Sequence, residues 1–425
     1  MMKKIFSLFF VFVLLFSLFA VPVSASETEE SDWDFSAEYP TAEPTGVTIN
    51  VYNWGEYIST GTEGSLDVNA EFTRRTGIEV NYTTFDSNES LYSKLAGGGA
   101  NYDVIIPSEY MIAKMISEDM LEKLDFSNIP NFEYIDEKFR DPAYDPGCTY
   151  SVPYTWGTVG LFYNTEHVTE EVTGWSSLWD EKYSGKILMF DNPRDAFAIA
   201  QARLGISFNT TDLNEWNEAA MLLKEQKPIV QAYVMDQIFD KMQGNEAALA
   251  PYYAGDAVNM MAENESLRFV IPEEGSNWFA DAACIPAPSD SFDEERYLAA
   301  HMYINFLNEP NVAAENIEYI QYSTPNTAAL ALLDEETQNN PIIYPDDELL
   351  DSCQAYVNLS TETNMYMDTL WTDLMSAAPE YNEWAMPLFL AGCLAACVAI
   401  TVGKKQYRRR KEQFSYDNYR KNIMP

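Results

Sequence analysis

From Val47 onward, apolar and polar side chains alternate through Val47-Thr48-Ile49-Asn50-Val51-Tyr52, the period of two expected of a half-buried strand. Residues 66–76 change to helical spacing and stop at Gly77, after which Ile78-Glu79-Val80-Asn81-Tyr82 alternates again. A short helix over 90–96 halts at Gly97-Gly98-Gly99. Asp103-Val104-Ile105-Ile106-Pro107 has the apolar run of a strand buried on both faces, and Ser108 opens a helix through Ile116. This order of strand, helix, strand, helix, strand, helix predicts an α/β unit with a mostly parallel sheet, whose strand ends are where small ligands bind. The Gly triplet precedes a strand, opens no helix and is followed by no Gly-Lys-Ser/Thr, so it does not read as a phosphate loop.

Residues 151–164 are apolar and aromatic with little charge. A Trp-rich turn region from Trp175 leads into a strand over 186–190, and helices are predicted over 195–204 and 212–225. Strands over 249–253 and 267–271 and a helix over 296–307 complete a second α/β unit. No solenoid-type repeat is present.

The two ends carry a different pattern. Lys3 and Lys4 precede an apolar run from Ile5 to Val21, and Val23-Ser24-Ala25 supplies small residues for cleavage, so 1–25 reads as a secretory signal. Residues 26–46 are acidic and rich in Glu, Ser, Thr and Pro, the composition of a flexible spacer. Residues 384–403 hold no charge over 20 positions, enough to cross a hydrocarbon core of ~30 Å at about 1.5 Å per residue. Six basic residues follow between Lys404 and Lys411, which predicts a cytoplasmic tail over 404–425 and places 26–383 outside the cell.

Charge and residue usage narrow the chemistry. The chain holds 66 Asp and Glu against 26 Lys and Arg, a formal charge of -40, which excludes a generic nucleic-acid binder. Its only histidines, His167 and His301, leave little for a His-based metal cluster or general base. Of five cysteines, Cys148, Cys284 and Cys353 lie in the outside part at spacings that fit no zinc pattern and allow at most one disulfide. Cys393 and Cys397 lie within the predicted span.

Five short stretches join aromatic rings to carboxylates, each just after a predicted strand: Asn53-Trp54-Gly55-Glu56-Tyr57, Pro107-Ser108-Glu109-Tyr110, Phe190-Asp191-Asn192-Pro193-Arg194-Asp195, Tyr252-Tyr253-Ala254-Gly255-Asp256 and Trp278-Phe279-Ala280-Asp281. Any one alone reads as core packing beside a solvated acid. Together they meet the needs of an organic ammonium. Ring faces attract the cation and cover its methylenes, while carboxylates accept its N–H groups.

With these stretches in place the sequence resembles the spermidine/putrescine-binding proteins, the extracellular component of ATP-driven polyamine importers. The resemblance runs from about Val47 to Asp373. It is carried by Val51-Tyr52-Asn53-Trp54-Gly55-Glu56-Tyr57, Tyr102-Asp103-Val104-Ile105-Ile106-Pro107-Ser108, Val152-Pro153-Tyr154-Thr155-Trp156-Gly157, Glu273-Glu274-Gly275 and Ser323-Thr324-Pro325-Asn326. It implies a two-lobed, periplasmic-binding-protein-like α/β fold with a hinge, lobe 1 from 47–157 and 281–323, and lobe 2 from 158–280 and 324–383. It implies ligand contacts from Trp54, Tyr57, Ser108, Tyr110, Asp195, Tyr253, Asp256, Phe279 and Asp281, with Tyr356 near a polar ligand residue. Asn192 stands where some members have an acid, and Tyr253 and Phe279 where some have Trp; the rings remain but the cation–π attraction is lower. The implied partners are a polyamine, a permease and a separate ATPase, with no catalytic residue, cofactor, metal or nucleic acid. Apart from the resemblance, the predicted span over 384–403 is expected to act as the membrane tether.

Two other readings of the residues stay open. The same fold could bind another cation, an amino acid, or ferric iron through Tyr pairs. An acid pair among Asp191, Asp195 and Glu274 could serve a surface hydrolase.

Overall fold

The computed structural model describes residues 40–98, 101–287, 293–377 and 400–407. The alternation at the start of the fold becomes strand β1 (Thr48–Trp54), with Ile49 and Val51 fully buried. Helix α1 (Val68–Thr76) is capped by Asp67, whose side chain accepts the Ala70 N–H, and ends at Gly77 in the left-handed region with φ 70°. Strand β2 (Glu79–Phe85) follows, then helix α2 (Asn88–Ala96), opened by a reciprocal Ser87–Ser90 capping box. Strand β3 (Val104–Ile105) leads through Ser108 into helix α3 (Glu109–Ser117). Both β2 and β3 run parallel to β1, as expected, so the strands end on one side. Beneath them, Tyr52, Leu91, Ile105, Ile112 and Met115 pack into one apolar cluster; each fully buried aliphatic side chain contributes roughly 1.5–3 kcal/mol.

Residues 151–164 form one long strand, β4 (Ser151–Asn164), buried at every position except Tyr163. Strand β5 (Ile187–Phe190) is followed by helices α4 (Pro193–Leu204) and α5 (Leu213–Gln226), then strand β6 (Val230–Val234) and helix α6 (Ile238–Gln243). Strand β7 (Leu249–Tyr253) runs into helix α7 (Ala254–Glu263), and strands β8 (Leu267–Val270) and β9 (Trp278–Cys284) complete the sheet. Helices α8 (Glu294–Leu307) and α9 (Pro310–Ile320) come next, and a helix over Thr361–Ser376 brings Trp371 against Phe197 and Tyr233.

Among the described residues nine strands form one mixed sheet in the order β2-β1-β3-β9-β4-β7-β5-β6, with β8 also paired to β4. The expectation of a mostly parallel sheet holds on each flank, where β1 lies between β2 and β3, and β5 between β6 and β7. It fails in the middle. The first half of β4 pairs antiparallel with β9 and the second half with β7 and β8, so one strand is shared by both flanks. A second correction concerns Trp278-Phe279-Ala280-Asp281, which lie inside β9 rather than after a strand. Their run is buried on both faces, and a continuous apolar run shows no period. Gly157 in β4 allows this arrangement: a Cβ there would sit 2.9 Å from the Phe279 ring.

Cys148, Cys284 and Cys353 are free thiols, the first two buried. Burial pushes the Cys148 thiol up to about 12, so it stays protonated and unreactive. Among the described residues no helix is long and apolar enough to cross a membrane. The predicted signal over 1–25 lies outside the described residues. So do most of the spacer, positions 384–399 of the predicted span with Cys393 and Cys397, and the tail beyond 407. Residues 400–407 are helical with exposed side chains.

Candidate functional site

The ends of β1, β3, β5 and β7 and the middle of β9 face a cleft with about 660 Å³ of empty space, part of it open to solvent. All ten residues singled out from the sequence line it. Trp54 and Tyr57 stand at the end of β1, Ser108 and Tyr110 at the start of α3, Asp195 in the first turn of α4, and Tyr253 and Asp256 at the β7–α7 junction. Phe279 and Asp281, two apart on β9, share one face of the strand. Tyr356 comes from the segment before the last helix.

Asp281 is 3% exposed. Its Oδ2 accepts the Tyr57 hydroxyl at 2.6 Å, and that hydroxyl also meets Thr155. Its Oδ1 is buried with no hydrogen-bond partner among the described residues. Burial pushes this carboxyl up to about 6 against the opposing pull of Ser108 and Tyr57, and the negative Asp195 adds to the rise. Asp256 is likewise driven well above the usual carboxylate range by burial, opposed by the Tyr322 hydroxyl and reinforced by Asp236 and Glu56. Neither acid has a positive partner among the described residues.

Asp195 is differently placed. Its Oδ2 accepts Asn192 Nδ2 at 2.8 Å and the Tyr253 hydroxyl at 2.6 Å, and its Oδ1 accepts the Tyr356 hydroxyl at 2.8 Å. The protein itself supplies three donors to this carboxylate. Nearby, Glu89 accepts the Tyr110 hydroxyl at 2.9 Å, and burial raises its carboxyl above the ordinary range.

Rings close the walls. Tyr57 meets Tyr322 edge-on at 4.7 Å between centroids, Tyr253 meets Phe279 at 5.6 Å, and Tyr110 meets Tyr356 at 5.6 Å. The guanidinium of buried Arg194 lies 4.6 Å from the Tyr356 ring centroid, outside the cleft lining.

Among the described residues the lining holds five carboxylates, Glu89, Asp195, Asp236, Asp256 and Asp281, and no Lys, Arg or His. Such a cavity suits a cation and gives an amino acid's carboxylate no positive side chain among the described residues to pair with. The hydroxyls of Tyr57, Tyr253 and Tyr356 each donate to an aspartate, and burial lifts all three phenols well above their usual range, which disfavours the tyrosinates an iron site needs. Of the three acids considered for hydrolysis, only Asp195 lines the cleft; Glu274 instead accepts the Trp175 N–H at 3.2 Å.

Ten further residues line the cleft, and four of them add a carboxylate or a ring: Glu89, Asp236, Tyr252 and Tyr322. Glu89 opens α2 after β2, the same strand-end position as the others, and could have been found on that rule. Tyr252 lies within a stretch already noted, and Tyr322 directly precedes Ser323-Thr324. Asp236 follows β6, a half-exposed strand that alternation did not reveal.

Residues 68–345 match the family model for bacterial extracellular solute-binding proteins. The spermidine/putrescine-binding periplasmic protein of Escherichia coli K12 is 35% identical over 322 residues, which is 75% of this chain and 89% of that protein. The putrescine-binding periplasmic protein SpuD of Pseudomonas aeruginosa is 29% identical over 347 residues, 77% of this chain and 92% of that one. Among solved structures, the spermidine/putrescine ABC transporter substrate-binding protein PotD of Streptococcus pneumoniae is 37% identical. It matches with a TM-score of 0.64, covering 77% of this chain and 98% of its own.

Proposed function

The chain belongs to the bacterial extracellular solute-binding proteins, a family of transporter binding components and not of enzymes, and from that premise we propose that it captures a polyamine, putrescine or spermidine, outside the cell for ATP-driven import. The observation that carries this reading is an aromatic cleft lined by five carboxylates and, among the described residues, no basic side chain. Asp281 and Asp256 take the ligand's ammonium groups, Asp195 stands at a further position, and Trp54, Tyr57, Tyr110, Tyr253, Phe279 and Tyr356 cover the chain between them. Ser108 adds a polar contact. Lobe 1 (47–157 and 281–323) and lobe 2 (158–280 and 324–383) exchange along β4 and β9 and close over the ligand. The closed form docks on a permease served by a separate ATPase.

In this proposal 1–25 directs export, 384–403 tethers the binding part to the membrane, and 404–425 stays cytoplasmic. Calorimetric titration of the chain with putrescine, spermidine and spermine tests the ligand. Saturable binding of at least one is expected, with loss on Asp281→Ala. No heat with any of them would overturn the reading.

A further inference from the structure

One buried acid near the cleft takes no part in the scheme above. Glu109 begins α3, where a first-turn acid ordinarily faces water, yet it is 3% exposed. Its Oε2 accepts the backbone N–H of Ala280 at 3.1 Å, directly before Asp281 on β9. Its Oε1 accepts the backbone N–H of Tyr356 at 3.2 Å, the residue whose hydroxyl donates to Asp195. A single carboxyl thus ties the start of α3 to two segments that present cleft residues, without lining the cleft itself.

We infer that Glu109 is a positioning residue for capture: it holds Asp281 and Tyr356 in place from behind and releases a proton when a cation fills the cleft. This rests on reading the cleft as a cation site. The charged and titratable groups facing Glu109 are Asp281 from β9, Arg194 from α4, Tyr144 from the loop before β4, and Tyr356. Burial pushes the Glu109 carboxyl up to about 8, opposed by the N–H of Ala280, while negative Asp281 pushes it further up. In the empty cleft the acid is therefore mostly protonated at neutral pH. A protonated carboxyl keeps a lone pair on each oxygen, so both tethers survive. A ligand ammonium paired with Asp281 cancels that part of the rise while the burial remains, so the Glu109 carboxyl moves down and part of its proton passes to the buffer. Because ligand and proton then compete, affinity falls as pH falls.

The test is calorimetry on the full-length chain, with putrescine and spermidine as probes, near pH 7 in buffers of different ionisation enthalpy. The dependence of heat on buffer counts the protons released. Glu109→Gln should still bind, more weakly, while releasing measurably fewer protons than the parent chain. Its affinity should also decline less steeply from pH 8 to pH 6. Glu109→Met, similar in length and unable to ionise, is the second variant should the first fail to fold. A purely structural role would leave the proton count unchanged. Equal counts in the parent and either folded variant, or binding by the parent with no proton released, would overturn the inference while leaving polyamine capture standing. Absence of binding to every polyamine would remove both.

Discussion

Replacing Asp281 by asparagine separates the cost of the empty site from its use. Burial holds the Asp281 carboxyl at about 6 against an ordinary 3.8. At about 1.4 kcal/mol per pH unit, keeping it ionised in the empty cleft costs about 3 kcal/mol. The sign follows from proton counting. Between 3.8 and 6 the folded chain retains a proton that the unfolded chain has lost, so this group lowers stability as pH rises through that window. The substituted amide can still accept the Tyr57 hydroxyl and carries no charge. Empty D281N should therefore be more stable than the parent at pH 8, by up to about 3 kcal/mol, with the gain shrinking below pH 6 and nearly gone by pH 4. Binding should move the other way. Losing charge-assisted hydrogen bonds to one ammonium costs about 2–3 kcal/mol, or about 30- to 150-fold in affinity. Thermal unfolding from pH 4 to pH 8 without ligand, paired with putrescine titration, measures both. A variant less stable than the parent at pH 8, or an affinity loss below about threefold, would refute the reasoning.

Other expectations follow from the same geometry. Tyr356→Phe removes one of three donors to Asp195 and should cost about 1 kcal/mol in chemical denaturation. Gly157→Ala would drive a methyl to 2.9 Å from the Phe279 ring; it should destabilise the chain by about 1–3 kcal/mol and weaken binding, with circular dichroism unchanged. Glu109 and Asp256 carry raised pKa values like that of Asp281, so the empty protein should lose stability from pH 5 to pH 8. Saturating putrescine should narrow that difference, as seen in melting temperatures at the two pH values.

Local order is readable wherever one face of an element meets water. β1 and α1 carry a clear period and α1 has capping residues at both ends, so their positions agree with the alternation. β9 has no period because both faces are buried, so its acid reads as following a strand when it lies within one. β6 has the reverse difficulty. Four of its five residues are partly or fully exposed, and with the strand Asp236 also escapes notice. The cleft residues themselves are legible because rings and acids recur at successive strand ends. Glu109 stands in one of those stretches, but its tethering role is not legible, because an acid in the first turn of a helix ordinarily lies in solvent, and only tertiary packing turns it inward.

The tyrosine and asparagine donors gathered on Asp195 bear on how far a ligand profits from growing longer. On the proposed reading, Asp281 and Asp256, each with a single tyrosine hydroxyl and no positive partner among the described residues, would welcome incoming nitrogens, whereas a nitrogen arriving at Asp195 must displace or crowd donors already seated there. Lengthening a diamine into a triamine at that end therefore yields a smaller increment in affinity than either of the first two nitrogens. If the cleft holds a polyamine, discrimination by length would thus come from satisfaction already present in the resting protein rather than from a wall that blocks the longer molecule.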